Sequence, residues 1–354
     1  MMSAAIINKI AAIASDVLAG RSIDNKIAAI ASDVLAGKSI DTRTILYLLE
    51  LSGDDRYDLF YWANRIRLQF VGSQISLCAI VSGRTGRCSQ DCRFCAQSGH
   101  YNTNVTPNVM TAGQIIEAAD KAAACGAHCF GIVSSGRAID DAEIDRLSPA
   151  ITYIAQNKQL SCCASFGCIN YKQARRLYAL GVRRYNHNLE TSRKFFPSIV
   201  TTHSYDDRVA TVQAVKQAGM QVCCGGIIGL GESLYDRAEL AVTLRELAVD
   251  SVPLNFLNPI AGTPLAEKKN DPVKPLEALQ TIAAYRFAMP KTQIKIAGGR
   301  QNCLRDLQSW IFYAGANSTM IGNYLTTTGR NPELDHQMLR DLELSIKSEI
   351  REHT

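Results

Sequence analysis

Residues 74–98 read QISLCAIVSGRTGRCSQDCRFCAQS: an apolar run closed by Gly83, then a short polar loop carrying Cys88, Cys92 and Cys95. A run of this length, rich in Ile, Val and Leu and bounded by Gly, reads as a strand buried on both faces. Working outward, seven further apolar runs follow: HCFGIVSSG (128–136), QLSCCASFG (159–167), RRYNHNLE (183–190), QVCCGGIIGLGE (221–232), SVPLNFL (251–257), QIKIAGG (293–299) and STMIGNY (318–324). Between them lie helical stretches, such as the run near 111–125 and YDDRVATVQAVKQAG at 205–219. This alternation predicts an α/β fold, a parallel (β/α)8 barrel of TIM type. Nearly every strand ends in Gly, Ser, Asn or Glu, which puts small and polar groups at the C-terminal mouth, where such barrels place their chemistry.

Upstream, NKIAAIASDVLAG at 8–20 recurs unchanged at 25–37, a tandem duplication of period 17. Alanine-rich sequence with Ile and Leu at helical spacing predicts a helix in each copy, closed by Gly20 and Gly37. Two units are too few for a solenoid. Residues 1–44 are therefore expected to form a helical N-terminal extension without chemistry, and residues 45–354 the barrel domain. The 354 residues are 47% hydrophobic, enough for a large core. A net charge of +5 without a dense basic run argues against a nucleic-acid partner but allows a small anionic substrate. No stretch approaches the roughly 20 apolar residues of a membrane span, and the first residues lack a secretory cleavage pattern. The expectation is a soluble protein of the reducing cytoplasm with no membrane partner. There, twelve cysteines are not expected to form disulfides. Soft thiolates suit iron–sulfur clusters or zinc instead.

The loop cysteines are spaced C-x3-C-x2-C. Such a loop can bend three thiolates onto three corners of a [4Fe–4S] cubane and leave the fourth iron open for a substrate or cofactor. The competing reading is a structural zinc knuckle, which needs a fourth ligand. His100 is the available candidate.

C-x3-C-x-aromatic-C after a first barrel strand resembles the signature of the radical S-adenosylmethionine superfamily. The resemblance implies that Cys88, Cys92 and Cys95 hold a [4Fe–4S] cluster whose open iron binds S-adenosylmethionine. Phe94 would then contact the adenine. One electron would cleave the sulfonium to give a 5′-deoxyadenosyl radical, so the cofactors rather than a catalytic side chain carry the chemistry. From about residue 45 onward the chain resembles the biotin synthase family. YNHNLETS (185–192), TTHSYDDR (201–208), CCGGIIGLGES (223–233), VPLNFL (252–257), GTPLA (262–266) and AGANS (314–318) all look like that family's blocks, in its order. The implied activity is sulfur insertion into dethiobiotin, with sulfur supplied by an auxiliary iron–sulfur cluster. By position, Asn188 and Glu190 would hold the ribose of S-adenosylmethionine, Glu190 standing where Asp is usual. Arg208 would meet the methionyl carboxylate, and Asn186, Asn188 and Asn255 the ureido ring of dethiobiotin. Amides match a neutral urea and a guanidinium matches a carboxylate. His187 alternates to the other face and reads as structural. The resemblance further implies a small electron-donor protein, flavodoxin or ferredoxin, and a homodimer.

The auxiliary cluster of this family is usually held by three strand cysteines and an arginine. Cys163 and Cys223 fall on two of those positions, whereas Gly131 and Lys295 replace the third cysteine and the arginine. Cys129 shares the strand parity of Gly131, about 6 to 7 Å nearer the barrel floor, and is the substitute ligand expected here. Cys168 is the reserve. Cys162 and Cys224 should face outward, while Cys78, Cys125 and Cys303 read as inert packing thiols. Because an ammonium is a poor ligand, Lys295 is not expected to bind iron, and the cluster is expected to be of a four-iron rather than a [2Fe–2S] type. Two alternatives stay open: another biotin-synthase-like radical enzyme such as a hydrogenase maturase, and a non-catalytic iron–sulfur carrier or zinc-stabilised scaffold.

Overall fold

The computed structural model describes residues 21–156, 160–268 and 271–347. Eight parallel staves close into a barrel: β1 (Ser76–Thr85), β3 (Cys129–Ser134), β4 (Ser161–Ser165), β5 (Arg184–Asn186), β6 (Gln221–Cys223) continued by β7 (Gly226–Ile228), β8 (Ser251–Phe256), β9 (Gln293–Ile296) and β10 (Ser318–Met320). A short β2 (Asn108–Val109) lies antiparallel on the end of β1. Closure comes from β10 pairing in parallel with β1, Cys78 opposite Met320. The (β/α)8 barrel expected from the strand runs is the fold observed.

The QVCCGGII run is one stave broken into two. At Gly225 a Cβ would collide with the Pro253 carbonyl, and at Gly226 with that of Glu190. Two glycines thus let neighbouring backbones press into the ladder at the mouth.

Helices α1 (Arg21–Leu35), α2 (Thr42–Glu50) and α3 (Asp55–Phe70) precede the barrel. Around it run α4 (Ala112–Ala124), α5 (Asp141–Gln156), α6 (Tyr171–Leu180), α7 (Tyr205–Gln217), α8 (Leu234–Glu246), α9 (Pro275–Ala288) and the C-terminal α10 (Pro332–Asp341). Four of them start at capping boxes, with Thr111, Asn170, Ser204 and Ser233 accepting from the backbone three residues on. These caps satisfy amides left open at helix starts close to the strand ends. The second copy of the duplication lies in α1, where Ile27, Ala31 and Val34 are fully buried and α1 packs on α3. Its stop at Gly37, φ 86°, carries the paired Gly37 and Lys38 amide bonds of a left-handed cap. The first copy, 8–20, lies outside the described residues, and α2 spans the expected boundary at residue 44. On the C-terminal side, buried Arg300 donates to both carboxylate oxygens of buried Asp335, at 2.9 and 2.8 Å, tying α10 to the end of β9. No helix among the described residues is long and apolar enough to cross a membrane.

Candidate active site

The barrel mouth opens into a cavity of about 320 Å3. The cysteine loop forms one wall. The residues Asn186, Asn188, Glu190 and Asn255 at and beyond the strand ends line it with Arg208, as do Lys295 of β9, Ala297 just after it and Met320 of β10.

Backbone turns shape the loop: Cys95 donates to the Cys92 carbonyl at 2.9 Å, Cys88 to Gln97 at 2.9 Å, and Gly99 to Cys88 at 2.7 Å. Cys88, Cys92 and Cys95 all reach the cavity, Phe94 beside them. Burial pushes the Cys92 thiol up to about 12 and that of Cys95 to about 11, and the neighbouring thiols and Glu190 add to the effect. Metal binding would have to displace these protons. Asp91 anchors the loop by accepting from the Thr201 and Thr202 amides and from both their hydroxyls. Burial raises this carboxyl, but those bonds hold it well below the usual carboxylate range. His100 is exposed, its Nε2 3.1 Å from the Ser89 carbonyl oxygen. His100 does not line the cavity with the three thiols.

Opposite the loop, β5 stops at Asn186 and the chain continues as an arm to Glu190. Glu190 takes φ 69°, a left-handed conformation costly for a side-chain-bearing residue. It is held there by its amide on the Gly225 carbonyl, 3.1 Å, and by the Ile227 amide on its own carbonyl, 2.9 Å. Its carboxyl is raised by burial, opposed by the Arg208 guanidinium 3.5 Å away and by Asn188 Nδ2 at 3.3 Å. Arg208 Nη1 also donates to the Asn188 carbonyl at 2.6 Å. Because the strand ends early, the alternation expected for His187 does not apply. Its Nε2 sits 3.9 Å from Cys168 Sγ at the edge of the cavity.

The amides divide into two kinds. Asn186 Oδ1 is buried at the cavity and has no hydrogen-bond partner among the described residues. Asn255 is engaged, donating to the Gly226 carbonyl at 3.3 Å and accepting from the Gly298 amide at 2.9 Å.

Deeper in the barrel lies a sulfur-rich interior. Cys78, Cys129 and Cys163 cluster with Ala297 and Met320, and fully buried Cys223 lies near enough to raise the Cys163 thiol further beyond its burial. The register explains the gathering: Cys78 is opposite Cys129, Gly131 opposite Cys163, and Asn186 opposite Cys223. Two corrections to the sequence reading follow. Cys78, read as an inert packing thiol, instead faces the barrel interior among the other sulfurs. The thiols are also not all free, because Cys78 and Cys129 are joined as a disulfide, Cα atoms 4.9 Å apart. Lys295 and Arg184 are the cations that act on Cys163, drawing its thiol down against burial. Cys162 and Cys224 sit in the outer core under the helices, with Cys125 and Cys303 packed against it. Cys168 stays at the mouth. Sequence reasoning missed Gln90 and His203, which bridge the loop to Arg208, because that contact spans 113 residues.

A barrel whose first strand delivers three loop thiols to a cavity shared with Glu190, Asn188 and Arg208 defines a radical S-adenosylmethionine enzyme. The Radical SAM superfamily model matches residues 83–244, and the Biotin and Thiamin Synthesis associated domain matches 253–345. Among solved structures, methylornithine synthase (PylB) superposes with TM-score 0.78 at 19% identity, covering 90% of this chain and 97% of that one. The maturase HydG from Carboxydothermus hydrogenoformans superposes with TM-score 0.77 at 15% identity, covering 97% and 84%. At such identities these likenesses concern the fold alone. A biotin synthase from Geobacter sulfurreducens is 52% identical over 303 residues, 85% of this chain and 91% of that protein. One from Geobacter metallireducens is 51% identical over 298 residues, 83% and 90%. The chain belongs to the biotin synthase family.

Proposed function

We propose that this protein inserts sulfur into dethiobiotin to form biotin, using S-adenosylmethionine at the loop cysteines and sulfur held by the interior cysteines. The observation that carries the reading is the stacking of two thiol groups in one barrel, Cys88, Cys92 and Cys95 at the mouth and Cys78, Cys129, Cys163 and Cys223 beneath, with an unpartnered amide oxygen on the cavity wall.

Cys88, Cys92 and Cys95 would hold a [4Fe–4S] cluster with one open iron, and their placement on one cavity wall suits three thiolate ligands. Cys129, Cys163 and Cys223 would hold the auxiliary cluster, with Cys78 as a fourth ligand once its bond to Cys129 is reduced. Four thiolates suit a four-iron cluster without arginine. Lys295, whose charge acts on Cys163, would serve as a counter-charge to the cluster, and Cys168 would stay outside the ligand set. When bound, the two clusters supply the electron that cleaves S-adenosylmethionine and the sulfur that is transferred.

The chain's own residues bind and orient. Arg208 binds the methionyl carboxylate through Nη2, its Nε and Nη1 being engaged by His203, Asn188 and Glu190. Glu190 and Asn188 hold the ribose, and Phe94 covers the adenine. Asn186 Oδ1 accepts an N–H of the ureido ring, and Asn255 braces the opposite wall while offering its remaining N–H. A small electron-donor protein, flavodoxin or ferredoxin, reduces the loop cluster, the working form is a homodimer, and the compartment is a reducing cytoplasm.

The test is whether cleavage of S-adenosylmethionine depends on dethiobiotin. Anaerobically reconstituted protein should release 5′-deoxyadenosine faster when dethiobiotin is added. Equal release without it, together with no biotin, would refute the assignment.

A further inference from the structure

We propose that His203 is a positioning residue that fixes the Arg208 guanidinium for the methionyl carboxylate and couples it to the cysteine loop through Gln90. This rests on the reading of Arg208 as the carboxylate's partner. His203 lies just before Ser204, the cap of α7, and its ring is placed edge-on to Phe196, centroids 5.7 Å apart. Nδ1 is 2.8 Å from Gln90 Oε1, and Nε2 is 3.0 Å from Arg208 Nε. A guanidinium only donates, so Nε2 must carry the lone pair. The ring proton is then on Nδ1, donated to Gln90. The two bonds select one tautomer, and burial and the Arg208 charge keep the ring neutral by pulling His203 down to about 4.

The consequence for Arg208 is geometric. Nε is held by His203, Nη1 by the Asn188 carbonyl at 2.6 Å and Glu190 at 3.5 Å, and the guanidinium lies over the Phe196 ring at 5.4 Å. Nη2 makes no hydrogen bond to another described residue, and Arg208 lines the cavity. A planar fork fixed at Nε and Nη1 presents Nη2 in a single orientation, which is what recognition of a carboxylate demands. On the loop side, Gln90 lies between Cys88 and Cys92, and its carbonyl accepts from Ser98 Oγ at 2.6 Å. The loop does not depend on His203 to stay docked, because Asp91 clamps it separately through Thr201 and Thr202. Removing the imidazole should therefore loosen Arg208 and leave the cysteines in place.

The experiment measures affinity for S-adenosylmethionine and for its decarboxylated analogue, with iron content, in the cluster-loaded parent and in His203→Phe, His203→Gln and Arg208→Met. His203→Phe should weaken S-adenosylmethionine about tenfold, about 1.4 kcal/mol, with iron content and affinity for the decarboxylated analogue unchanged. His203→Gln, whose amide oxygen can still accept from Arg208, should recover affinity to within about threefold of the parent, since only the cost of one charge-assisted bond is at stake. Equal weakening of both ligands, or parental affinity for both, would overturn the inference. If His203→Phe fails to load iron, Gln90→Met carries the test and should show the same selective loss, and no loss would overturn the proposal. Unchanged S-adenosylmethionine affinity in Arg208→Met would refute the carboxylate reading itself. A loss in Arg208→Met but not in His203→Phe would refute the role of His203 alone.

Discussion

Asn186 and Asn255 are the same residue type on the same cavity, yet their replacement by alanine should have different consequences. Asn186 Oδ1 has no hydrogen-bond partner among the described residues, so its loss breaks no hydrogen bond made by that oxygen within the barrel. It does remove the acceptor for a ureido N–H, worth about 1–3 kcal/mol when the opposing donor is left buried and unpaired. At 1.4 kcal/mol per decade, dethiobiotin should bind about 5- to 140-fold more weakly to Asn186→Ala, with thermal unfolding unchanged. Asn255, by contrast, bonds the Gly226 carbonyl and the Gly298 amide. Asn255→Ala should therefore lose stability as well, about 1 kcal/mol for each bond, and weaken dethiobiotin partly by loosening the wall. Calorimetric titration of dethiobiotin into the S-adenosylmethionine-loaded protein, beside thermal unfolding of each variant, separates the two effects. Parental affinity in Asn186→Ala would refute the assignment of the unpartnered oxygen. Equal losses of S-adenosylmethionine and dethiobiotin would show that the amide only supports the mouth.

Replacing Cys88, Cys92 or Cys95 by Ala should abolish 5′-deoxyadenosine formation while the chain still folds, which circular dichroism and product analysis would check together. Replacing Cys78 or Cys129 by Ala should lower iron content and stop biotin formation while cleavage of S-adenosylmethionine continues. Lys295→Met should leave the Mössbauer signature of the auxiliary cluster unchanged, and a changed signature would make Lys295 a ligand. Asp335→Ala strands Arg300 as a buried, uncompensated charge and should cost about 3–5 kcal/mol of stability in denaturant unfolding, whereas a loss below about 1 kcal/mol would show that water reaches Arg300.

The barrel was legible because each stave announces itself as an apolar run with a small or polar end, and the cysteine triplet because its spacing is local. What escaped the sequence depended on register or on long-range closure. Cys78 reads as a packing thiol in the sequence because only the pairing of β1 with β3 sets it opposite Cys129. The stave at 221–228 reads as one run because nothing local shows that the Pro253 and Glu190 carbonyls press against Gly225 and Gly226. The parity argument for His187 failed because the ladder ends one residue earlier, where the arm turns toward the left-handed Glu190. Gln90 and His203 lie inside the cysteine loop and the TTHSYDDR block, but nothing in either stretch pairs them. Their contact exists only once the barrel brings the loop after β1 beside the segment before α7.

The central claim is that the sulfur entering the product comes from sulfide held by the interior cysteines. Protein reconstituted with heavy-isotope sulfide, freed of unbound sulfide and given S-adenosylmethionine, dethiobiotin and a reductant, should yield biotin carrying that isotope, and the Cys163→Ala variant should yield none. Biotin of natural isotopic mass, or labelled biotin at the parental yield from Cys163→Ala, would contradict it.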